Sequence, residues 1–222
     1  MKVYIGTPIR RFDCVEPHRD VLKWARGMSA KHEVEYGLSC TYGVDSARSQ
    51  LIEDAKAWGA ERMLMIDSDV VPRTPWAEVF SYASQAFSRG YAAVLSPTLS
   101  SSNQILVWAP EGDRPYGSPL DIPTNAIFPI SWGGLGFVVI DGAVLPRLKV
   151  LREQRFVNGP PAKLYCVYES GGDGEDLSLC RNIRQSTGLK IGGDCRIKTG
   201  HQKLSERPSW SEEVKDAVRG PS

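Results

Sequence analysis

Two carboxylates end a run of four apolar residues in Met63-Leu64-Met65-Ile66-Asp67-Ser68-Asp69. The run reads as a buried strand, and a period of two puts Asp67 and Asp69 on the same side of it. Carboxylates held that close repel and raise one another's pKa unless a cation sits between them. Oxygen ligands of this kind suit a hard divalent ion, Mn2+ or Mg2+. Open α/β sheets also take their ligands at the carboxyl ends of parallel strands. A second acidic pair, Glu175 and Asp176, follows Gly171-Gly172-Asp173-Gly174 at what reads as a helix start. Acids there also serve simply to cap a helix and complement its dipole. Ser131-Trp132-Gly133-Gly134-Leu135-Gly136-Phe137 is glycine-rich, which allows either close backbone approach to a ligand or a tight turn into a strand. Gly200-His201 adds an imidazole late in the chain.

The elements that must position these residues are legible in the apolar pattern. Val3 to Gly6 reads as a buried strand, Pro17 to about Met28 as a helix, and His32 to Ser39 as a strand with Val34, Tyr36 and Leu38 on one side. Asp45 or Ser46 is the expected cap of a helix running to Trp58 and closed by Gly59, with Ala47, Leu51, Ile52, Ala55 and Trp58 as its apolar stripe. A third strand spans Arg62 to Ile66, a helix opens at Thr74-Pro75 and ends at Gly90, and a fourth strand covers Ala92 to Leu95. Alternating strands and helices predict a mostly parallel central sheet, Rossmann-like, with helices on both faces.

Beyond residue 97 the pattern loosens. Thr98 to Ser131 reads as an irregular insertion with a hairpin or two, Leu135 to Ile140 as a strand, and Ala143 to Glu153 as a helix. Gln154 to Gly172 is a long connection, of the kind that is usually functional or mobile. A helix from about Gly174 to Gln185, with Leu177, Cys180 and Ile183 as its apolar positions, leads to two short strands near Lys190 and Arg196. Residues 202–222 read as a poorly ordered tail.

The chain has 222 residues, enough to bury one sizeable core, and a formal net charge of +1, so no global charge demands a nucleic-acid or membrane partner. Five cysteines without CxxC spacing (Cys14, Cys40, Cys166, Cys180 and Cys195) argue against zinc or disulfides and for free thiols in a reducing compartment. No apolar run is long enough for a signal peptide or a transmembrane helix, so the expected location is cytoplasmic. From Arg181 to Arg207 the bases outnumber Asp194 and Glu206. That stretch reads as a solvated face or as a region that holds a phosphate or an anionic acceptor.

Taken together and in order, Ile66-Asp67-Ser68-Asp69, Trp132-Gly133-Gly134-Leu135-Gly136-Phe137, Gly174-Glu175-Asp176-Leu177-Ser178-Leu179-Cys180, Lys190-Ile191 and Ile197-Lys198-Thr199-Gly200-His201 make the chain resemble the GT-A fold glycosyltransferases, especially compact family-2-like enzymes of bacteria and phages. The resemblance covers residues 1–201 as a single catalytic domain, with a nucleotide-binding half over 1–97 and an acceptor and catalytic half over 98–201. It implies a sugar transferred from a nucleotide-sugar donor, a UDP-sugar, with the aid of Mn2+ or Mg2+. Thr7 and Pro8 would lie at the nucleotide base, and Arg48 near the nucleotide. Asp67 and Ser68 would face the ribose or donor sugar, and Gly133 and Gly134 would line the donor and acceptor pocket. Asp69 and His201 would hold the metal, Asp176 would be the general base of an inverting displacement, and Glu175 would position hydroxyls. The lid that often follows the His in this family is here only a short tail.

Other readings stay open. Asp67-Ser68-Asp69-Val70-Val71 loosely matches the nucleophile motif of haloacid-dehalogenase phosphatases, although two strand–helix units precede it. A binding protein could keep the nucleotide-sugar pocket without catalysis, but it would be expected to lack the base or a ligand. A nucleotidyltransferase would need a Gly-rich loop after the first strand, which is missing. The acceptor is unspecified, with a nucleic acid only weakly suggested by the basic stretch. Trp108, Tyr116 and Trp132 would form an acceptor platform or simply pack.

Overall fold

A computed structural model describes residues 1–9, 19–39, 43–97, 107–108, 122–155, 161–168 and 174–201, with Arg19, Asp20, Trp108 and His201 described through their backbone alone. Strand β1 (Lys2–Pro8) and helix α1 (Arg19–Ser29) come first, then β2 (Glu33–Ser39), α2 (Val44–Trp58), β3 (Arg62–Ile66), β4 (Val70–Pro72), α3 (Trp76–Phe87) and β5 (Tyr91–Leu95). The second half contributes β6 (Val107–Trp108), β7 (Ile127–Ile130), β8 (Trp132–Gly133), β9 (Phe137–Asp141), a 3-10 helix (Gly142–Arg147), β10 (Arg152–Gln154), β11 (Ala162–Leu164), α4 (Glu175–Thr187), β12 (Lys190–Asp194) and β13 (Thr199–His201).

The central sheet has the order β2-β1-β3-β9-β5-β12-β7. β1 is parallel to β2 and β3, and β12 is parallel to β5. β9 is antiparallel to β3 and β5, and β7 is antiparallel to β12. All strands but β9 and β7 therefore run one way, which is the mostly parallel α/β sheet expected.

Period-two alternation splits the core into two layers. Met63, Met65, Val138 and Ile140 face a cluster that includes Leu51, Ile52 and Ala55 of α2 and Leu179, Cys180 and Ile183 of α4. Leu64, Ile66, Phe137 and Val139 face the other, with Val21 and Met28 of α1 and Val79, Phe80, Ala83 and Ala86 of α3. Each large apolar side chain so buried contributes about 1.5–3 kcal/mol, so this two-faced packing, more than surface ion pairs, holds the sheet.

Several expectations are corrected. Asp45 does not cap α2: Gly43 holds the N-cap position with no side-chain cap, and Asp45 sits in the first turn. Gly59 closes the helix in the left-handed region (φ 74°), as expected. Leu38 is 44% exposed because β2 is an edge strand. The stretch before Ser131 is not wholly an insertion, since β7 joins the main sheet. No α-helix follows β9: Pro146 lacks the N–H an α-helix needs there, and a 3-10 turn is followed by the β10–β11 hairpin. The last strand is at Thr199–His201, beyond Arg196. Asn182 of α4 ties the hairpin region down, accepting from Lys149 N (3.1 Å) and donating to the carbonyls of Lys149 and Tyr165 (2.8 Å each). Cys14, Cys40, Tyr116, the start of the first helix near Pro17, Gly171 to Asp173 and the 202–222 tail lie outside the described residues.

Candidate active site

Five same-direction strands leave their carboxyl ends on one side of the sheet, and the acids singled out above gather there. β3 ends at Ile66 and the chain turns over Asp67-Ser68-Asp69, so the two acids of that motif part company instead of sharing one strand face. The turn is fixed by its backbone: Asp67 N donates to Gly136 O (2.9 Å) and Val70 N to Asp67 O (3.0 Å). Asp67 turns inward to Arg48. Asp69 is exposed and Ser68 half-buried.

Arg48 is the centre of the arrangement. It lies on the buried face of α2 beside Ala47 and Leu51, only 2% exposed. An isolated buried cation would be very costly, and two carboxylates offset that cost here. Nη1 is 3.0 Å from Asp67 Oδ1, Nη2 is 3.2 Å from Asp67 Oδ2, and Nη2 is also 3.4 Å from Asp176 Oδ1. Nη1 further donates to Met65 Sδ (3.2 Å) and to Leu135 O (3.4 Å). Burial works against the charge on Arg48. Asp67 and then Asp176 outweigh it, and the guanidinium is held protonated above its ordinary range. One arginine thus joins the end of β3 to the start of α4.

Asp176 keeps 30% of its side chain exposed, while its Oδ1 is buried on the Arg48 side. Burial of its inner part raises its pKa to about 6; Arg48 lowers it, Glu175 and Asp67 raise it, and a backbone hydrogen bond from Leu135 lowers it. A carboxylic acid poised near 6 suits proton transfer at neutral pH. Glu175 is 7% exposed, so it is far less accessible than its neighbour. Helix α4 is held against the extended segment 131–135 by a run of contacts. The Leu135 backbone bonds Asp176, the Gly133 backbone bonds Cys180, and Arg184 Nη1 donates to Ser131 O (3.3 Å). Positions four apart on the helix thus meet positions two apart on that segment. Gly133 is buried and Gly134 half-buried beside this contact. Burial pushes the Cys166 and Cys180 thiols up to about 12, which leaves both unreactive.

His201 arrives by a separate route. β13 pairs antiparallel with β4, and the register sets His201 opposite Val70, one residue from Asp69. That ladder is anchored by Ser96, whose Oγ donates to Ile197 O (2.8 Å) and lies 3.2 Å from Thr199 Oγ1. Thr7 and Pro8 are buried at the carboxyl end of β1, next to β3 in the sheet, and Tyr36 Oη donates to Thr7 Oγ1 (3.2 Å). Arg48, Asp67, Asp176 and the Leu135 backbone therefore meet directly. Ser68 and Asp69 adjoin them along the chain, and His201 adjoins Asp69 through the ladder.

Two features were not anticipated: the bridging role of Arg48 and the Leu135 backbone as its companion. The first had a signal. An arginine embedded in the apolar stripe of α2 must be buried, and a buried arginine requires carboxylates. Among the described residues no three His, Cys, Asp or Glu side chains cluster as a ready-made metal cage. Asp69 is exposed and offers an oxygen ligand of the kind Mn2+ or Mg2+ takes, whereas the side chain of His201 lies outside what the structure describes.

No family model matches the chain, and no curated protein matches it in sequence. Its fold is similar to that of A197 from STIV, at 15% identity and a TM-score of 0.62 over 90% of this chain and 85% of that one. It is also similar to a Drosophila β-1,4-galactosyltransferase 7 mutant in complex with manganese, UDP-Gal and xylobiose, at 10% identity and a TM-score of 0.50 over 96% of this chain and 78% of that one. At these identities the likeness is one of fold.

Proposed function

We propose that the protein is a metal-dependent glycosyltransferase that moves a sugar from a nucleotide-sugar donor, a UDP-sugar, to an acceptor hydroxyl with inversion. The observation that carries this reading is the bridge through Arg48, which holds Asp67 and a partly exposed, near-neutral Asp176 at the same end of the sheet. The fold likeness to a transferase in complex with manganese and UDP-Gal supports the donor class.

In this reading Thr7 and Pro8 border the nucleotide base. Asp67, fixed by Arg48, orients the ribose or donor sugar together with Ser68, while Gly133 and Gly134 shape the pocket floor. Arg48 acts as a positioning residue, since its burial keeps it from the ligand. Asp176 takes the proton of the acceptor hydroxyl as that oxygen attacks the anomeric carbon. The bond from that carbon to the diphosphate breaks, and the nucleoside diphosphate leaves with the electron pair. Asp69 and His201 would hold Mn2+ or Mg2+, which supplies charge neutralisation for the leaving diphosphate. Glu175 would position acceptor or sugar hydroxyls.

The phosphatase alternative needs Asp67 as a nucleophile, yet both its oxygens face a buried guanidinium. A binding protein without catalysis has no use for a near-neutral Asp176. Among the described residues no helix is long and apolar enough to cross a membrane.

The test is calorimetric titration of UDP with and without Mn2+. Wild type is expected to bind UDP at least about tenfold more tightly with the metal, and Asp69→Ala to lose that increment. Metal-independent binding, identical in both proteins, would count against Asp69 as a ligand.

A further inference from the structure

A cleft of about 630 Å3 opens between the start of α3, the turn before β13 and the residues preceding β7. It lies on the carboxyl-end side of the sheet, the side that carries Asp67 and Asp176. Its floor is rigid. The carbonyl of Lys198 accepts from Arg73 N (2.9 Å) and Thr74 N (3.2 Å), and Lys198 N donates to Thr74 Oγ1 (2.7 Å). Arg196, also on the wall, is already committed. It makes a bidentate pair with the fully buried Asp194 (2.9 and 2.6 Å) and lies over the Tyr82 ring (4.1 Å).

Two cations remain for a ligand. Arg73 and Lys198 are both exposed, and neither has a carboxylate partner among the described residues. Among the described residues Glu78 is the single acid on the rim, set against these two bases. Thr124 and Asn125 add a hydroxyl and an amide to the same wall. Gly200 gives Arg73 its course: a Cβ there would come 3.2 Å from Arg73 Nε, so the absent side chain lets the arginine lie across the β4–β13 ladder. That ladder leads from Lys198 to His201, roughly 10 Å at about 3.4 Å per residue.

We infer that this cleft is the acceptor subsite and that the acceptor carries a phosphate group, gripped by Arg73 and Lys198. This rests on the glycosyltransferase reading. Arginine offers a planar fork and lysine a point charge to such an oxyanion, and a preformed floor lowers the cost of ordering them. A cleft of similar size, about 640 Å3, lies at the far end of α4 with Arg184 and Lys190 on its walls, but it opens beside the amino end of β12, away from Asp176.

The test is binding of glycerol 3-phosphate, inorganic phosphate and glycerol to wild type and to Arg73→Gln/Lys198→Gln, read by calorimetry, with nucleotide-sugar affinity measured in parallel. Both phosphates are expected to bind wild type, glycerol is not, and the double variant is expected to lose about tenfold or more in phosphate affinity. Nucleotide-sugar affinity should be unchanged, and Arg73→Lys/Lys198→Arg should restore phosphate binding. Equal phosphate binding in wild type and the double variant, or none in wild type, would overturn the inference. A matching loss of nucleotide-sugar affinity would also overturn it, by giving these cations to the donor. Phosphate binding that behaves as expected in a protein that binds no nucleotide sugar would instead sink the transferase reading and leave only an anion site.

Discussion

Asp176→Asn is expected to lower sugar transfer by about 10²–10⁴-fold, the usual worth of a general base, while nucleotide-sugar affinity stays within about twofold. The same carboxyl sets the pH dependence. With a pKa of about 6, its ionised fraction, and hence kcat/KM, falls about tenfold for each pH unit below 6 in the wild type. The asparagine variant should lose that acid limb along with its rate. Stability moves the other way. The folded carboxyl keeps its proton up to about pH 6, whereas the unfolded one releases it near 4. Folding is therefore weakened by this group as pH climbs through that window, and the variant should lack that part of the pH dependence of Tm. A variant with full transfer activity would remove Asp176 from the chemistry.

Arg48→Gln has the second large expected effect. The arginine is 2% exposed and faces two carboxylates, so its loss leaves acids from two elements close together without their cation. Breaking such a buried arrangement by removing one partner costs about 3–5 kcal/mol, to be read as a fall in the denaturant midpoint with m unchanged. In whatever fraction folds, the acid limb of kcat/KM should move up by about one to three pH units, because the favourable charge beside Asp176 is gone. Arg48→Lys, which keeps the charge but not the fork, should recover part of both losses. A purely structural arginine would lower stability and leave the acid limb where it was.

These two residues also mark how far the sequence could be read. The first half was legible because its signals are local. Met63 to Ile66 is a continuous apolar run, Gly59 is a helix stop, and Thr74-Pro75 is a helix start, and each held to within a few residues. Asp67 stood out because it ends a buried apolar run, whereas Asp176 stood out only through its order with the other motifs, since α2 and α3 also carry an acid in their first turn. What brings them together was not legible. Arg48 lies 19 residues from Asp67 and 128 from Asp176 in the chain, and only the sheet order places β9, with its preceding Leu135, beside β3. The side-by-side expectation for Asp67 and Asp69 failed because the strand stops at Ile66, after which a turn, not a period of two, sets direction. The region after residue 141 misled for a physical reason as well. Its apolar residues fit a helical spacing, but Pro146 denies the helix a hydrogen bond and the hairpin at β10 and β11 is held by distant partners such as Asn182. The joining of β7 to β12 is likewise a long-range pairing that no short window reveals.

The central claim is that this chain opens a nucleotide sugar at the carboxyl end of its sheet. The most direct test is release of nucleoside diphosphate from a panel of nucleotide sugars by wild-type protein, with Mn2+, with Mg2+ and with EDTA. The account predicts slow release from one donor, a UDP-sugar, supported by either metal and abolished by EDTA. Absence of release and of metal-dependent binding across the whole panel, from protein shown to be folded, would contradict it.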